Sequence, residues 1–299
     1  MWLKYGVDPN GCLKSVDEVV KGKTNLTCLY CGGKLTAKKG RIKQHHFAHT
    51  EETCKPISIR HKTKQFPGLP MYDRFGIQLP GRELEQLKVL WKEYGSQDIL
   101  IPRDLINLRW KFRSLIQLAG NEFEFTDLGK IPMGALELAR FNQIQEPLLL
   151  ETWEKYRQAA ERATLANYSN IQDYQADLRI YETQLRRILV NSLYFLEVKA
   201  NGETLYKIGI TQRTTDERIS EIHHDLKTHY TNITINLLGF WEHRGNVELY
   251  FKHRYREFNY RLGKLTEYFC FPDVKVVLND LYRMEQKVLS EADLELISD

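Results

Sequence analysis

Two apolar runs dominate the hydropathy pattern of the last third of the chain, Ser192-Leu193-Tyr194-Phe195-Leu196-Glu197-Val198 and Leu205-Tyr206-Lys207-Ile208-Gly209-Ile210-Thr211. Lys199-Ala200-Asn201-Gly202-Glu203 joins them. Asn-Gly supplies the positive φ that a tight turn needs, so the runs predict a β-hairpin. Thr214, Thr215 and Asp216 offer a helix N-cap, and Ile219, Ile222 and Leu226 recur at helical spacing. That helix carries Arg218 and His223. Thr231 to Trp241 alternates as a third strand. A helix capped by Asn246 is predicted through Phe258, and a last one from Asp273 to Ser290. The order β-β-α-β-α-α around a three-stranded antiparallel sheet defines a small α+β domain over residues 192–299.

Upstream, Glu146 to Asn191 is almost free of Gly and Pro. Tyr174, Leu178, Tyr181, Leu185 and Ile188 form a heptad seam, repeated by Leu149, Trp153, Tyr156 and Ala160. Asn167-Tyr168-Ser169-Asn170 interrupts it, so two helices folded back on each other and one long rod are both compatible. Residues 146–191 are expected to act as a spacer or a homodimer contact. Residues 66–145 read as a small, mostly helical region. A connecting segment rich in Pro and Gly is followed by a helix through Leu84, Leu87, Leu90, Trp91 and Tyr94. A second, basic helix is predicted from Pro102 to Ala119, and a short one from Met133 to Asn142. Phe123 and Phe125 alternate with glutamates between them. Residues 1–65 alternate weakly around a Pro9-Asn10-Gly11 turn and predict β structure.

Charge changes this picture locally. The net charge is only +4, but residues 1–65 hold 13 Lys/Arg against 5 Asp/Glu. Such clustering suits a phosphate backbone. No apolar run reaches the ~18 residues of a membrane span, and no apolar leader is read at the N-terminus. Five cysteines in such a chain fit a reducing cytoplasm, with thiols serving as ligands rather than bridges. Cys28-Leu29-Tyr30-Cys31 is followed by His46-Phe47-Ala48-His49, a Cys₂His₂ zinc pattern in which the two imidazoles would share one face of a helical turn. His45, Cys54 and His61 are spare candidates for the fourth ligand, and Cys12 and Cys270 are expected to be buried.

The C-terminal run resembles the GIY-YIG endonuclease family, in its phage-type branch, over roughly residues 190–273. Leu193-Tyr194 and Lys207-Ile208-Gly209 stand at its first two motifs, and Arg218 at its arginine. Glu248 in Val247-Glu248-Leu249-Tyr250-Phe251 and Glu267 in Thr266-Glu267-Tyr268-Phe269 match its later motifs. The resemblance implies a catalytic set of Tyr194, Lys207, Arg218, His223 and Glu267, with Glu267 holding Mg²⁺ or Mn²⁺. Lys207 replaces the commoner tyrosine. Arg213 is an alternative to Arg218, and Glu248 is taken as a supporting group. The N-terminal segment is similar to the competence protein CoiA-like family through Asp8-Pro9-Asn10-Gly11, Cys28, Cys31, Gly40 and the His46–His49 run. The nuclease glutamate expected after it is replaced within Ile57-Ser58-Ile59-Arg60-His61-Lys62, so this resemblance supplies a zinc module alone.

Together these readings predict a metal-dependent endonuclease acting on nucleic acid, most simply double-stranded DNA, with a structural Zn²⁺ module aiding binding and no membrane contact. A DNA-binding protein that no longer cuts, and an accessory nuclease needing a partner, remain as alternatives.

Overall fold

The computed structural model describes residues 2–40, 43–63, 66–77, 79–262 and 265–298. The chain forms two compact units, Met1–Pro70 with Leu149–Arg186, and Met71–Leu148 with Arg187–Asp299.

The first unit carries five antiparallel strands, β1 (Tyr5–Val7), β2 (Leu13–Ser15), β3 (Gly22–Thr27), β4 (Lys34–Lys38) and β5 (His46–His49), in the order β2-β1-β3-β4-β5. The expected turn closes β1 and β2: the Asp8 carboxylate accepts from the Asn10 and Cys12 amides at 2.9 and 2.8 Å. Helix α1 (Lys55–Thr63) follows. Leu3, Val16, Leu26, Leu35, Phe47 and Ile57 form the core.

The second unit begins with α2 (Gly81–Glu93). The single basic helix expected from Pro102 to Ala119 is not formed. Asn107 caps α3 (Leu108–Phe112), Ser114 at φ 55° ends it, and β6 (Ile116–Ala119) turns at Gly120-Asn121 into β7 (Glu122–Phe125). Trp110, Leu115 and Ile116 reach the core around Leu87 and Leu90 this way, as one continuous helix would not allow. Arg109 is held by Glu83 at 3.0 Å. After α4 (Asp127–Lys130) come two long helices, α5 (Leu138–Leu165) and α6 (Ile171–Val190).

From Leu149 to Arg186 these helices belong to the first unit. They fold back on each other: the Tyr181 hydroxyl donates to the Leu149 carbonyl at 2.8 Å, and Trp153 Nε1 donates to Glu182 at 3.1 Å. Tyr181 and Leu185 of the seam are fully buried within the chain. Ala176 and Ile180 complete the core of the N-terminal sheet. Asp177 accepts from the Tyr30 hydroxyl at 2.5 Å and from Arg60 at 2.6 Å.

The C-terminal sheet has five strands rather than three. They are β8 (Ser192–Ala200), β9 (Glu203–Thr211), β10 (Ile233–Trp241), β11 (Asn259–Leu262) and β12 (Leu265–Phe269), in the order β10-β8-β9-β12-β11. β8 and β9 pair from Ser192↔Thr211 to Ala200↔Glu203, which leaves Asn201 (φ 50°) and Gly202 (φ 88°) as a two-residue turn. Helix α7 (Thr215–Leu226) follows β9 and α8 (Glu248–Arg254) follows β10. The helix predicted from Asp273 to Ser290 ends at Tyr282 as α9 (Val274–Tyr282), and a further helix not predicted, α10 (Glu291–Ser298), follows it. Asn246 does not cap α8; its buried amide donates to Asn142 and Gln145 at 2.7 and 3.1 Å. One face of the sheet packs Phe195, Tyr206 and Ile208 against Phe251, Val277 and Leu281. The other packs Tyr194, Leu196, Val198 and Tyr268 against Ile222 and Leu226 of α7. Among the described residues, no helix is long and apolar enough to cross a membrane.

Candidate active site and metal centre

In the first unit, ligand atoms of Cys28, Cys31, His49 and Cys54 lie within 4.8 Å of one another. Cys28 and Cys31 sit in the β3–β4 turn, His49 ends β5, and Cys54 precedes α1. This corrects the sequence-derived set: Cys54 takes the place of His46. His46 and His49 lie on a strand, not a helix, and three residues along a strand put side chains on opposite faces. His46 instead stacks on Trp2 at 4.4 Å, and its Nδ1 lies 2.9 Å from the Gln44 carbonyl. His45 lies beside Asp17 at 3.0 Å. The side chain of His61 lies outside the described residues, as does that of Thr266. Cys12 and Cys270 are exposed, contrary to expectation.

Three sulfurs and one imidazole at this separation form a donor set that suits zinc. The Gly33 amide donates to Cys31 Sγ at 3.4 Å, and a Cβ added at Gly33 would stand 3.3 Å from both Cys31 Sγ and His49 Cδ2. Burial pushes the Cys28 and Cys54 thiols above their ordinary values. Thiols in that setting become thiolates when a cation neutralises them.

In the second unit, strand pairing and α7 bring Tyr194 and Arg218 together. Tyr194 lies opposite Gly209 on β9 and faces α7. A Thr214–Glu217 capping box starts α7 and fixes where Arg218 emerges. Arg218 Nε donates to the Tyr194 hydroxyl at 3.1 Å, and the guanidinium carbon lies 5.8 Å from the ring centre. Arg218 also donates to Glu221 at 2.7 Å, and Arg213 is paired with the other oxygen of Glu221. Both arginines therefore border the site, and Arg218 is the one bonded to the tyrosine. Burial raises the pKa of the Tyr194 hydroxyl; Arg218 pulls it down, and the charges of Glu267 and Glu248 push it up again.

The Tyr194 ring lies across Gly209, where an added Cβ would stand 2.5 Å from Cζ and collide with the hydroxyl. Gly209→Ala is therefore expected to destabilise the fold by about 1–3 kcal/mol through overpacking. It should also break the Tyr194–Arg218 bond. A thermal melt and a tyrosine absorbance titration would check both effects.

Glu267 lies on β12, whose described pairing with β9 is Tyr268↔Lys207 and Phe269↔Tyr206. By alternation its side chain starts on the face opposite Lys207, yet the two meet where this short ladder ends. Lys207 Nζ donates to Glu267 Oε2 at 2.7 Å, and Lys252 Nζ to Oε1 at 2.9 Å. Lys252 donates also to Glu248 at 3.0 Å. Burial pushes the pKa of Glu267 up, but Lys207 and Lys252 more than offset that and hold it at about 2. Burial depresses the pKa of Lys207 against the pull of Glu267, while Glu248 and Glu267 outweigh burial at Lys252 and raise it. The Lys207 ammonium also sits 4.8 Å from the centre of the Tyr268 ring.

His223 is not drawn into this cluster. It stands five residues after Arg218 on α7, about 140° round a helix. Glu221 instead occupies the arginines' side. Tyr206 faces the opposite core with Phe195 and Phe271. Glu221 and Lys252 were missed from sequence, although spacings of three from Arg218 and four from Glu248 allow both contacts.

Two families match the chain, each over one of these sites. Residues 13–56, which include all four members of the Cys/His cluster, match the family described as Competence protein CoiA, N-terminal domain. Residues 191–287, which include Tyr194, Lys207, Arg218, Lys252 and Glu267, match the T5orf172 domain. No curated protein and no solved structure matches the chain.

Proposed function

We propose that the chain is a divalent-metal-dependent endonuclease that hydrolyses phosphodiester bonds in double-stranded DNA, with the first unit held by zinc and assisting binding. The observation carrying this is the Arg218–Tyr194 hydrogen bond at 3.1 Å, with the charge of Glu267, from a third segment, acting on the same hydroxyl. The T5orf172 match and the resemblance to GIY-YIG endonucleases over the same residues support it.

Phosphodiester hydrolysis needs a positioned water, neutralisation of the charge building on phosphorus, and stabilisation of the leaving oxygen. Arg218 offers a permanently charged fork to phosphate oxygens once it gives up Glu221. Tyr194, protonated at neutral pH, accepts from Arg218 and keeps its own O–H to orient a water or a phosphate oxygen. Lys207 adds a buried positive charge beside the same spot. Glu267, fully ionised, is the residue that would hold Mg²⁺ or Mn²⁺. When bound there, the ion would polarise the phosphoryl oxygen as a Lewis acid and make its water more acidic. In the first unit, Cys28, Cys31, His49 and Cys54 would hold Zn²⁺.

Supercoiled plasmid incubated with the full chain and Mg²⁺ should be nicked, and a chelator should stop it. Arg218→Ala should cut about 10²–10³-fold more slowly, the usual cost of losing one preorganised charge-stabilising group. Parallel single-stranded DNA and RNA substrates test the preference for duplex DNA. Duplex binding without cleavage under any divalent ion would favour a silent DNA-binding protein instead.

A further inference from the structure

Lys252 spans two carboxylates, 3.0 Å from Glu248 and 2.9 Å from Glu267, while Lys207 fills the other oxygen of Glu267. The two lysines differ in freedom. The Lys207 side chain is 6% exposed, whereas Lys252 is 24% exposed on the surface of α8. A cation bonded to two acid groups occupies oxygens that a divalent ion would need, and like charge excludes both from one oxygen. Glu248 and Glu267, the partners of Lys252, lie close enough for their charges to act on the Tyr194 hydroxyl that Arg218 holds, so a phosphate bound there would bring a new anion towards that ammonium.

We propose that Lys252 is a positioning residue that caps Glu248 and Glu267 in the free protein and passes to a substrate phosphate on binding. The two carboxylates are thus opened to a divalent ion only in the nucleic-acid complex. This rests on the nuclease reading above. Metal and nucleic acid then promote each other's binding, as linkage requires. The free protein, its acid pair already neutralised, holds the divalent ion weakly.

The test is Mn²⁺ binding to the zinc-loaded full chain, followed by electron paramagnetic resonance, with and without a short duplex. Lys252→Met should bind Mn²⁺ at least about tenfold more tightly than the parent without DNA, a shift within the usual range of coupling between sites. DNA should then enhance its Mn²⁺ binding less than the parent's. Lys252→Arg, which keeps the charge, should behave like the parent. If Lys252→Met melts early, Lys252→Gln carries the same expectation. In metal-free buffer, the salt slope of duplex binding should be shallower by about one for Lys252→Met, the mark of one lost phosphate contact. A folded Lys252→Met protein that binds Mn²⁺ no more tightly than the parent, while Glu267→Gln abolishes binding, overturns the inference and leaves the nuclease reading standing. Mn²⁺ binding untouched by Glu267→Gln overturns both.

Discussion

Glu267→Gln is expected to lower metal-dependent cleavage by about 10³-fold, the upper end of what one preorganised electrostatic group supplies. Two effects of this substitution must be separated. It removes the negative charge proposed to hold the divalent ion, and it leaves the buried Lys207 ammonium without the carboxylate that offsets its burial. The second effect is a stability cost, moderated because Glu267 is itself 42% exposed. The double variant Glu267→Gln/Lys207→Met should recover much of the melting temperature and none of the cleavage. Acid titration gives a further signature. The pKa of Glu267 is depressed to about 2 in the folded protein. Its contribution to stability is therefore complete above the ordinary carboxylate range and fades as pH falls through that range towards about 2. The gap in stability between parent and Glu267→Gln should be widest at neutral pH and close on acidification. Urea unfolding at several pH values would measure it. A gap that widens in acid would contradict the assigned ion pair.

Withholding zinc from the Cys/His cluster is expected to leave the first unit unfolded. Cys28 is part of the buried core, and the cluster ties the β3–β4 turn, the end of β5 and the entry to α1 at one point. Structural zinc contributes roughly 10–16 kcal/mol in zinc-finger peptides, against about 5–15 kcal/mol for the stability of a whole domain. Cys28→Ser and Cys54→Ser should each purify with less than one zinc per chain and lose the melting transition of the first unit. His46→Ala should keep its zinc, since that ring lies against Trp2. Elemental analysis beside circular dichroism melts reads both. Zinc retained by Cys54→Ser and lost from His46→Ala would reverse the ligand assignment.

The legible parts of this chain were those where local pattern and tertiary context agree. The Asn201-Gly202 hairpin forms as its turn chemistry demands, and Thr214 caps α7 as its position suggests. Tyr194 and Arg218 could be paired in advance because a strand, a turn and a helix fix their separation. The errors share a cause. The spacing of His46 and His49 allows a helix, and only the pairing of β5 with β4 settles that they alternate across a strand. The segment from Pro102 to Ala119 has apolar residues that fit either period, and the φ of Ser114 together with burial of Ile116 decides for a hairpin. β11 and β12 are four and five residues long, too short for periodicity to announce. Lys252 meets Glu267 across fifteen residues and a change of element, a contact no local rule encodes.

The interrupted course of the first unit has a consequence for how the protein is made and cut. Ala176 and Ile180 seal a hydrophobic interior begun at Leu3, so the ribosome must synthesise well past residue 149 before that interior can close. An expression fragment ending near Pro70 would lack Ala176 and Ile180 from that interior. A trimmed version therefore needs to keep the returning helical arm, Leu149–Arg186, joined to the N-terminal segment by a linker.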